Sequence, residues 1–344
     1  MYNLIRYKMK KIITTLMILG VLVTSCENGD WDFPDYGTIS VYFAKQTPIR
    51  TITLGTDTYD TTLDNEHKCQ IMATMGGVYE NETNRVISFV VDESLCDGLI
   101  YDDGRDVLPL PSSYYTLASN QIIIPSGKVL GGVEVQFTDA FFYDPKSIQT
   151  TYVIPLRMTS VQNADTILES KNYILYAVKY INKWDGNWLS RGTDIIDDNG
   201  IVSTIERKAD YIENDEVRIL NTSAYKQVIY PISTVVQVYN EDGTLGTKTL
   251  SCDLILTFDD DDKCTITSGT DGYTATGSGT WTKEGAIKAW GDKDRDELKL
   301  KYEVTYYYQQ KIGSATMYKK YTCDDTLVAR DRGSKLESFT VKNK

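Results

Sequence analysis

Five side chains in the C-terminal half of the chain have the chemistry of a sugar-binding site. They are Trp281, Trp290, Arg295, Tyr306 and Tyr308. The four aromatic rings offer apolar faces with a polar tip, which suits the flat C–H faces and the hydroxyl groups of a saccharide, and Arg295 is a polar neighbour at their edge. In an extended strand Tyr306 and Tyr308 share one face. The set is therefore predicted to bind a ligand, although tyrosine is also common in sheets because it packs well there.

Other residue types give little support for catalysis or for a metal site. The chain has one histidine, His67, which excludes any zinc site that needs two histidine ligands. The acidic run at 292–297 spaces its first carboxylates like a calcium loop, but its sixth position is Glu297 instead of the required glycine. No Gly-x-Ser-x-Gly elbow occurs. We therefore predict a protein that is not an enzyme, with no catalytic residue, no metal and no cofactor.

Length, composition and charge indicate a globular protein that does not bind nucleic acid. A chain of 344 residues suggests about two domains. Hydrophobic residues make up 41% of it, enough for a buried core. The formal net charge is -12, whereas phosphate contacts need a basic surface. Tyrosine is in surplus, with 25 tyrosines against 8 phenylalanines, and this surplus favours β-sheets.

Residues 1–25 are predicted to be a lipoprotein signal peptide. Four basic residues and no acidic one occur there, and they precede an apolar run at 12–23 that is too short to span a membrane comfortably. The sequence Val-Thr-Ser-Cys at 23–26 then resembles a lipobox, which makes Cys26 the predicted lipid anchor. Without residues 1–25 the chain has 32 basic and 48 acidic side chains, a net charge of -16.

Residues 26–37 are predicted to form an acidic tether. Glu27, Asp30 and Asp32 follow Cys26 closely, and an acidic stretch at this place resembles the surface-export signal of Bacteroidetes lipoproteins. The resemblance implies a protein that is lipid-anchored in the outer membrane and faces the cell exterior. Such a protein would meet extracellular polymers.

The five cysteines that follow Cys26 leave the disulfide pattern open. The predicted compartment permits disulfides, and an odd number leaves at least one thiol free. Cys69 with Cys96 and Cys252 with Cys264 are possible pairs. Buried, reduced cysteines that act as small apolar residues are an equal alternative.

Strand patterns dominate the rest of the chain and predict an all-β fold with two domains. Short β-branched segments separated by turn residues fill 38–180, as in a two-sheet sandwich. A Gly-x-Trp sequence at 186–188 opens a second series of strands that runs to 341, with Asx-Gly hairpin turns between them. We predict an antiparallel barrel over 184–344, because a closed meander has no free edges. A flattened sandwich is the alternative fold.

Several segments of the first domain carry a resemblance to a known family. Residues 115–127 contain a Tyr-x-Leu strand, an Ile-rich strand and a Pro-x-Gly turn that ends it. This segment resembles part of the N-terminal immunoglobulin-like domain of Sus-type Bacteroidetes lipoproteins. The same resemblance is found in the segments at 50–55, 71–77 and 152–158. That domain is also found ahead of endo-glycosidases, but the Asp-x-x-Asp-x-Asp-x-Glu motif of those enzymes is missing here. The resemblance implies an immunoglobulin-like sandwich followed by a lipocalin-like barrel.

The predicted function follows from location, aromatic content and this resemblance. We expect a non-catalytic surface lipoprotein that binds a polysaccharide or oligosaccharide within a polysaccharide-utilisation system. Its partners would be the glycan, the outer membrane through the lipid anchor, and Sus-type proteins. One alternative is a protein-interaction or adhesin subunit without a sugar site. Another is a carrier that holds a small ligand in the barrel cavity.

Overall fold

The computed structural model describes residues 37–311 and 313–344. Cys26, the signal peptide and most of the tether lie outside the described residues, so the lipid anchor stays a prediction. The described chain is built mainly of β-strands, with only short helices, which confirms the predicted all-β class. A two-sheet sandwich comes first and an antiparallel barrel follows it, in the predicted order.

The sandwich consists of two sheets that enclose one apolar core. Alternation makes this core, since in the strand Lys68–Gly76 every second side chain from Cys69 to Met75 is buried. The strands in chain order are β1 (Ser40–Tyr42), β2 (Pro48–Thr53), β3 (Lys68–Gly76), β4 (Arg85–Val91), β5 (Leu99–Tyr101), β6 (Leu108–Pro109), β7 (Tyr115–Leu117), β8 (Gln121–Ile124), β9 (Leu130–Phe137), β10 (Tyr152–Gln162), β11 (Thr166–Ile167) and β12 (Tyr173–Ile181).

One sheet has the order β11-β1-β3-β9-β7 and the other contains β2-β12-β10-β4-β8, with β6 beside β10. Most neighbours are antiparallel, but β2 runs parallel to β12.

Helices are short in the described chain. Two α-helices of about one turn span Thr62–Asn65 and Asp139–Tyr143, and five 3-10 turns span Glu93–Cys96, Ser112–Tyr114, Pro145–Ile148, Glu169–Lys171 and Ile212–Asn214. None of the described helices has the length and hydropathy needed to cross a bilayer.

The barrel is a ring of eight antiparallel strands with one strand added outside the ring. Its strands are β13 (Gly186–Asp198), β14 (Ile201–Arg207), β15 (Glu216–Ala224), β16 (Gln227–Tyr239), β17 (Leu245–Phe258), β18 (Lys263–Ser268), β19 (Thr274–Trp290), β20 (Lys293–Gln309) and β21 (Thr316–Asp331). The order β13-β15-β16-β17-β18-β19-β20-β21 closes because β21 also pairs with β13. β13 pairs with β15 through its first residues and with β14 through its last residues. The other edge of β14 is open.

Side chains fill the barrel, and two tryptophans close one end of it. Trp184 and Trp188 are both buried, and the Trp184 ring stacks on Phe258 with 3.9 Å between ring centroids. Small residues make room where the wall curves. A Cβ at Gly279 would lie 2.7 Å from the backbone carbonyl oxygen of Lys299, so only glycine fits at that position.

The C-terminal segment leaves the barrel and returns to the sandwich. The short strand β22 (Glu337–Ser338) pairs with β2, and β23 (Val341–Asn343) pairs with β5. The sequence pattern predicts a barrel up to residue 344, and these last residues differ from that prediction. The ring itself is closed by β13 and β21, and these last residues pair with the sandwich strands β2 and β5 instead.

The five described cysteines are buried and unpaired. Cys69, Cys96, Cys252, Cys264 and Cys323 form no disulfide with one another. Of the alternatives left open by the sequence, the structure has the reduced form, in which the thiols pack as small apolar groups.

Candidate ligand site at the domain junction

The predicted aromatic residues do not come together in one site. Trp290 and Arg295 lie at the tip of the β19–β20 hairpin, where the guanidinium carbon is 3.8 Å from the indole centroid. The Trp290 indole N–H donates to the carbonyl oxygen of Ala329 at 3.4 Å. Arginine and tryptophan therefore pack on each other and on the barrel wall, so one ring face is already covered.

Tyr306 is buried in the barrel with only 1% of its surface exposed. It packs against Tyr273 and Tyr321, with ring centroids 5.2 and 6.1 Å away. The prediction that it presents a ring to a saccharide is wrong for this residue, because its face of β20 is the inner face of the barrel. Tyr308 is half-buried near the end of the same strand, and its hydroxyl accepts a hydrogen bond from Asn199 at 3.2 Å.

Trp281 lies near the link between the two domains. The Lys183 ammonium sits 4.5 Å from the Trp281 ring centroid and 5.1 Å from that of Trp184. The same ammonium forms an ion pair with Asp262 at 2.6 Å. One face of the half-buried Trp281 ring is therefore occupied by a cation of the protein itself.

A buried charge network fills the interior of the barrel near β14. The Arg207 guanidinium donates to Asp194 at 2.7 and 3.0 Å and also bonds to Asp325. Tyr302 donates to the other oxygen of Asp325 at 3.1 Å. Burial raises the pKa of the Asp325 carboxyl, while the adjacent Arg207 opposes that rise. Each buried charge is thus paired, as burial requires.

The cavity beside this network is small. It has a volume of about 40 Å³ and is lined by Arg207, Arg218, Tyr302 and Tyr306 among others. That volume holds roughly one or two water molecules. The carrier alternative needs a roomy interior, and this cavity does not provide one.

A much larger cleft lies where the two domains meet, and we call it the junction cleft. Its volume is about 460 Å³, and its lining comes from β2, the loop after β2, β12, the link between the domains and the segment after β21. The lining residues are Ile49, Arg50, Thr51, Tyr59, Lys179, Ile181, Asp185, Arg332, Gly333, Ser334, Lys335, Leu336 and Glu337. We call residues 332–337 the strap, because they cross from the barrel to the sandwich along this cleft.

Strand pairing positions the floor of the junction cleft. Because β2 and β12 are parallel neighbours, Thr51 lies opposite Lys179 and both strands run toward the barrel. The Tyr59 ring is 39% exposed, and its hydroxyl donates to Thr53 at 2.7 Å. Lys179 reaches across to Glu337 of the strap at 2.6 Å. The floor thus combines one exposed ring with fixed polar groups.

Arg332 anchors the strap between the domains. Its guanidinium donates to the carbonyl oxygens of Leu54 at 2.9 Å, Thr56 at 3.3 Å and Asn182 at 2.5 Å. Burial lowers the pKa of Arg332, although Asp185 acts in the opposite direction. Three carbonyl acceptors from two segments hold this side chain in place.

Asp185 is the buried carboxylate of the junction cleft. One of its oxygens accepts hydrogen bonds from the backbone N–H and the hydroxyl of Thr222, at 2.6 and 2.8 Å. Burial raises the pKa of this carboxyl, while its hydrogen bonds and the nearby Arg332 lower it. Perturbed groups of opposite charge in one concave site are typical of binding or active sites.

A second cleft, of about 330 Å³, lies between the sandwich and two hairpin tips of the barrel. Its lining includes His67, Lys183, Tyr225, Lys226 and Asp262. Both lysines are already paired, Lys226 with Asp260 and Lys183 with Asp262. Tyr225 packs among sandwich rings, 5.2 Å from Tyr143 and 5.6 Å from Phe142. We regard this second cleft as part of the domain interface, since its polar groups are occupied.

The sequence could not have revealed the junction cleft. Its lining comes from four segments that are far apart in the chain, around residues 50, 59, 180 and 334. None of the predicted ligand-binding residues lines it. Gly55 offers a weak sequence signal. Its φ is +90° and a Cβ added there would lie 2.8 Å from Lys183, so glycine is required at this contact between the domains.

Comparison with known proteins identifies relatives of the chain. Residues 34–165 match a family described as an N-terminal domain, and residues 183–333 match a Domain of unknown function (DUF5627). No match was found among curated proteins. A solved structure of a Bacteroides ovatus protein of unknown function is 40% identical, with a TM-score of 0.76. The alignment covers 89% of this chain and 99% of that chain.

Two further solved structures are more distant. A second Bacteroides ovatus protein of unknown function is 14% identical, with a TM-score of 0.41 and coverage of 87% of this chain and 99% of that one. An auxiliary nutrient binding protein from Bacteroides thetaiotaomicron is 9% identical, with a TM-score of 0.36 and coverage of 81% and 90%. The identity and coverage of the first relative are decisive, and this chain belongs to the same family as that Bacteroides ovatus protein.

Proposed function

We propose that this protein is a non-catalytic lipoprotein of the outer-membrane surface that binds a saccharide in the junction cleft. It would act within a polysaccharide-utilisation system, with the lipid on Cys26 as its anchor. The observation that carries the proposal is the junction cleft itself. Its volume of about 460 Å³ lies in the range of about 300–1,000 Å³ that is usual for ligand sites.

The lining of the junction cleft suits a sugar ring. Tyr59 offers an exposed ring face for the C–H face of a saccharide, and Ile49 and Ile181 add apolar surface. Thr51 brings a hydroxyl group, which can both donate and accept hydrogen bonds. The Ser334 hydroxyl donates to Asp57 at 2.5 Å and can accept a further hydrogen bond. A site of this kind uses a few placed polar groups to fix the orientation of a ligand on an apolar surface.

The two carboxylates of the lining favour binding over hydrolysis. Glycoside hydrolysis needs a pair of carboxyl groups that are free to act on the scissile bond. Glu337 is held by Lys179, and one oxygen of Asp185 is held by Thr222. Both groups therefore have structural partners, which supports a role in binding.

The test is binding of the mature chain, residues 27–344, to a panel of plant and host polysaccharides by affinity gel electrophoresis. We expect retardation by at least one polysaccharide, and loss of that retardation in Tyr59→Ala. The matched control is Tyr211→Ala, because Tyr211 is an exposed tyrosine of the barrel that does not line the cleft. Binding that survives Tyr59→Ala would move the site elsewhere, and no retardation by any polysaccharide would refute the proposed function.

A protein-interaction role is the second candidate, and β14 is the observation that favours it. This strand pairs only with β13 among the described strands, and Ile201 and Val202 are 76% and 65% exposed. An open edge with β-branched side chains is a template for pairing with another chain. Light scattering would test this role by comparing the oligomeric state of the mature chain with that of its Val202→Lys variant. A monomer that cross-links to no outer-membrane protein would contradict this role.

A further inference from the structure

The junction cleft has more positive than negative side chains in its lining. The four cations are Arg50, Lys179, Arg332 and Lys335, and the two carboxylates are Asp185 and Glu337. This local charge is the reverse of the charge of the whole protein, which is -16 for the mature chain. Any attraction for an anion must therefore come from the cleft and not from the overall field.

Half of these cations are already neutralised by the protein. Arg50 forms an ion pair with the buried Asp64, and Lys179 forms one with Glu337. Within the described chain, neither Arg332 nor Lys335 has a carboxylate oxygen within 4 Å of its charged nitrogens. These two remaining charges both belong to the strap, which forms one wall of the cleft.

The charge of Arg332 is only partly compensated. Burial lowers the pKa of its guanidinium even though Asp57, Asp185 and Asp296 are near enough to act against that effect. Its Nε is buried and has no hydrogen-bond partner among the described residues. In a partly desolvated cleft the attraction between opposite charges does not need direct contact. Asp57, Asp185 and Asp296 therefore offset part of the Arg332 charge, and a bound anion would add to that stabilisation.

We propose that the junction cleft selects anionic saccharides, whose rings carry a carboxylate or a sulfate group. The inference rests on the proposed function and adds the class of ligand. Lys335 is exposed and would donate to the anionic group from its long side chain, and Arg332 adds a fixed positive charge behind it. Tyr59 would contact the C–H face of the same sugar.

The experiment is isothermal titration calorimetry of the mature chain with three short saccharides. These are a galacturonic acid trisaccharide, a chondroitin sulfate tetrasaccharide and a neutral galactose trisaccharide. We expect tighter binding of at least one of the two anionic ligands than of the neutral one, and weaker binding at higher salt. A preference between the two anionic ligands then assigns the carboxylate or the sulfate as the recognised group.

Lys335→Gln separates this inference from the proposed function. The variant should weaken binding of the anionic ligand about two- to fivefold, a larger effect than on binding of the neutral sugar. Lys342→Gln is the matched control, since Lys342 lies on β23 outside the cleft. Equal or tighter binding of the neutral sugar, or no effect of Lys335→Gln on the anionic one, would overturn the selectivity alone. If neither these saccharides nor the polysaccharide panel bound, the proposed function would fall as well.

Discussion

The guanidinium of Arg332 donates to the carbonyl oxygen of Leu54 at 2.9 Å, although the two residues are 278 positions apart. Leu54 follows the second strand of the sandwich, and Arg332 follows the last strand of the barrel. This bond joins the two domains at the edge of the junction cleft. The cleft therefore depends on the relative position of the domains, and the strap helps to set that position.

Loss of Arg332 should destabilise the whole protein. Arg332→Ala removes three hydrogen bonds from a charged group and leaves carbonyl oxygens without donors at the junction. We expect the free energy of unfolding to fall by about 2–4 kcal/mol, measured by urea denaturation. Arg330→Ala is the control, because the Arg330 side chain is half exposed and its ion pair is with the neighbouring Asp331. Equal stability of the two variants would contradict the anchoring role of Arg332.

Loss of Arg207, which lies in the barrel interior, should lower the free energy of unfolding more than loss of Arg332. Arg207→Ala leaves Asp325 buried without its cation and also removes the partner of Asp194. Breaking such a buried pair costs about 3–5 kcal/mol, which thermal or urea unfolding would detect. Lys301→Ala is the matched control, since its ion pair with Asp324 is on the surface. If Arg207→Ala lowered the free energy of unfolding by no more than Lys301→Ala, Arg207 would be well hydrated in solution.

Stability should decrease in mildly acidic solution because of His67. Its imidazole lies 4.0 Å from the Phe142 ring, and burial lowers the pKa of His67 below 6.5, with Asp139 acting in the opposite direction. The unfolded chain then binds a proton more readily than the folded chain. The contribution of neutral His67 is complete above pH 6.5 and is lost as the pH falls through the lower pKa of the folded state.

The variant His67→Asn isolates this effect. Asparagine tolerates the positive φ of 59° at this position and has no charge to gain. Urea denaturation of both proteins between about pH 7.5 and 5 should show a steeper loss of stability in the wild type. Parallel pH profiles would show that His67 is freely hydrated in the folded state.

The cysteines should not react while the protein is folded. Burial raises the pKa of the Cys69, Cys96 and Cys264 thiols to about 12, and the thiolate is the reactive form. The chain from residue 27 onward contains five cysteines, all buried and unpaired among the described residues. A thiol reagent should therefore label none of them in native buffer and all five in denaturant. Rapid labelling of one thiol in native buffer would place that cysteine in a region that opens readily.

Much of the fold could be predicted from the sequence because strand patterns are local. Alternation in β20 predicts which of its side chains share a face, and the Asx-Gly turns predict antiparallel neighbours. The all-β class and the order of sandwich and barrel follow from such local patterns. Alternation of side chains along a strand does not show which face of the strand is the inner one. For this reason the pattern places Tyr306 equally well at a ligand or in the core, and only the folded barrel shows that it is buried.

The sequence alone determined the local elements of this protein and its overall charge. It is also the source of the predicted lipid anchor at Cys26, which stays a prediction. Tertiary structure alone decided that the ring closes between β13 and β21, and that the last residues return to the sandwich. It also decided where the candidate site lies, since Tyr59, Lys179 and Arg332 meet only when two domains and the strap come together. Contacts between residues far apart in the chain depend on the packing of the whole molecule, and no local pattern records them.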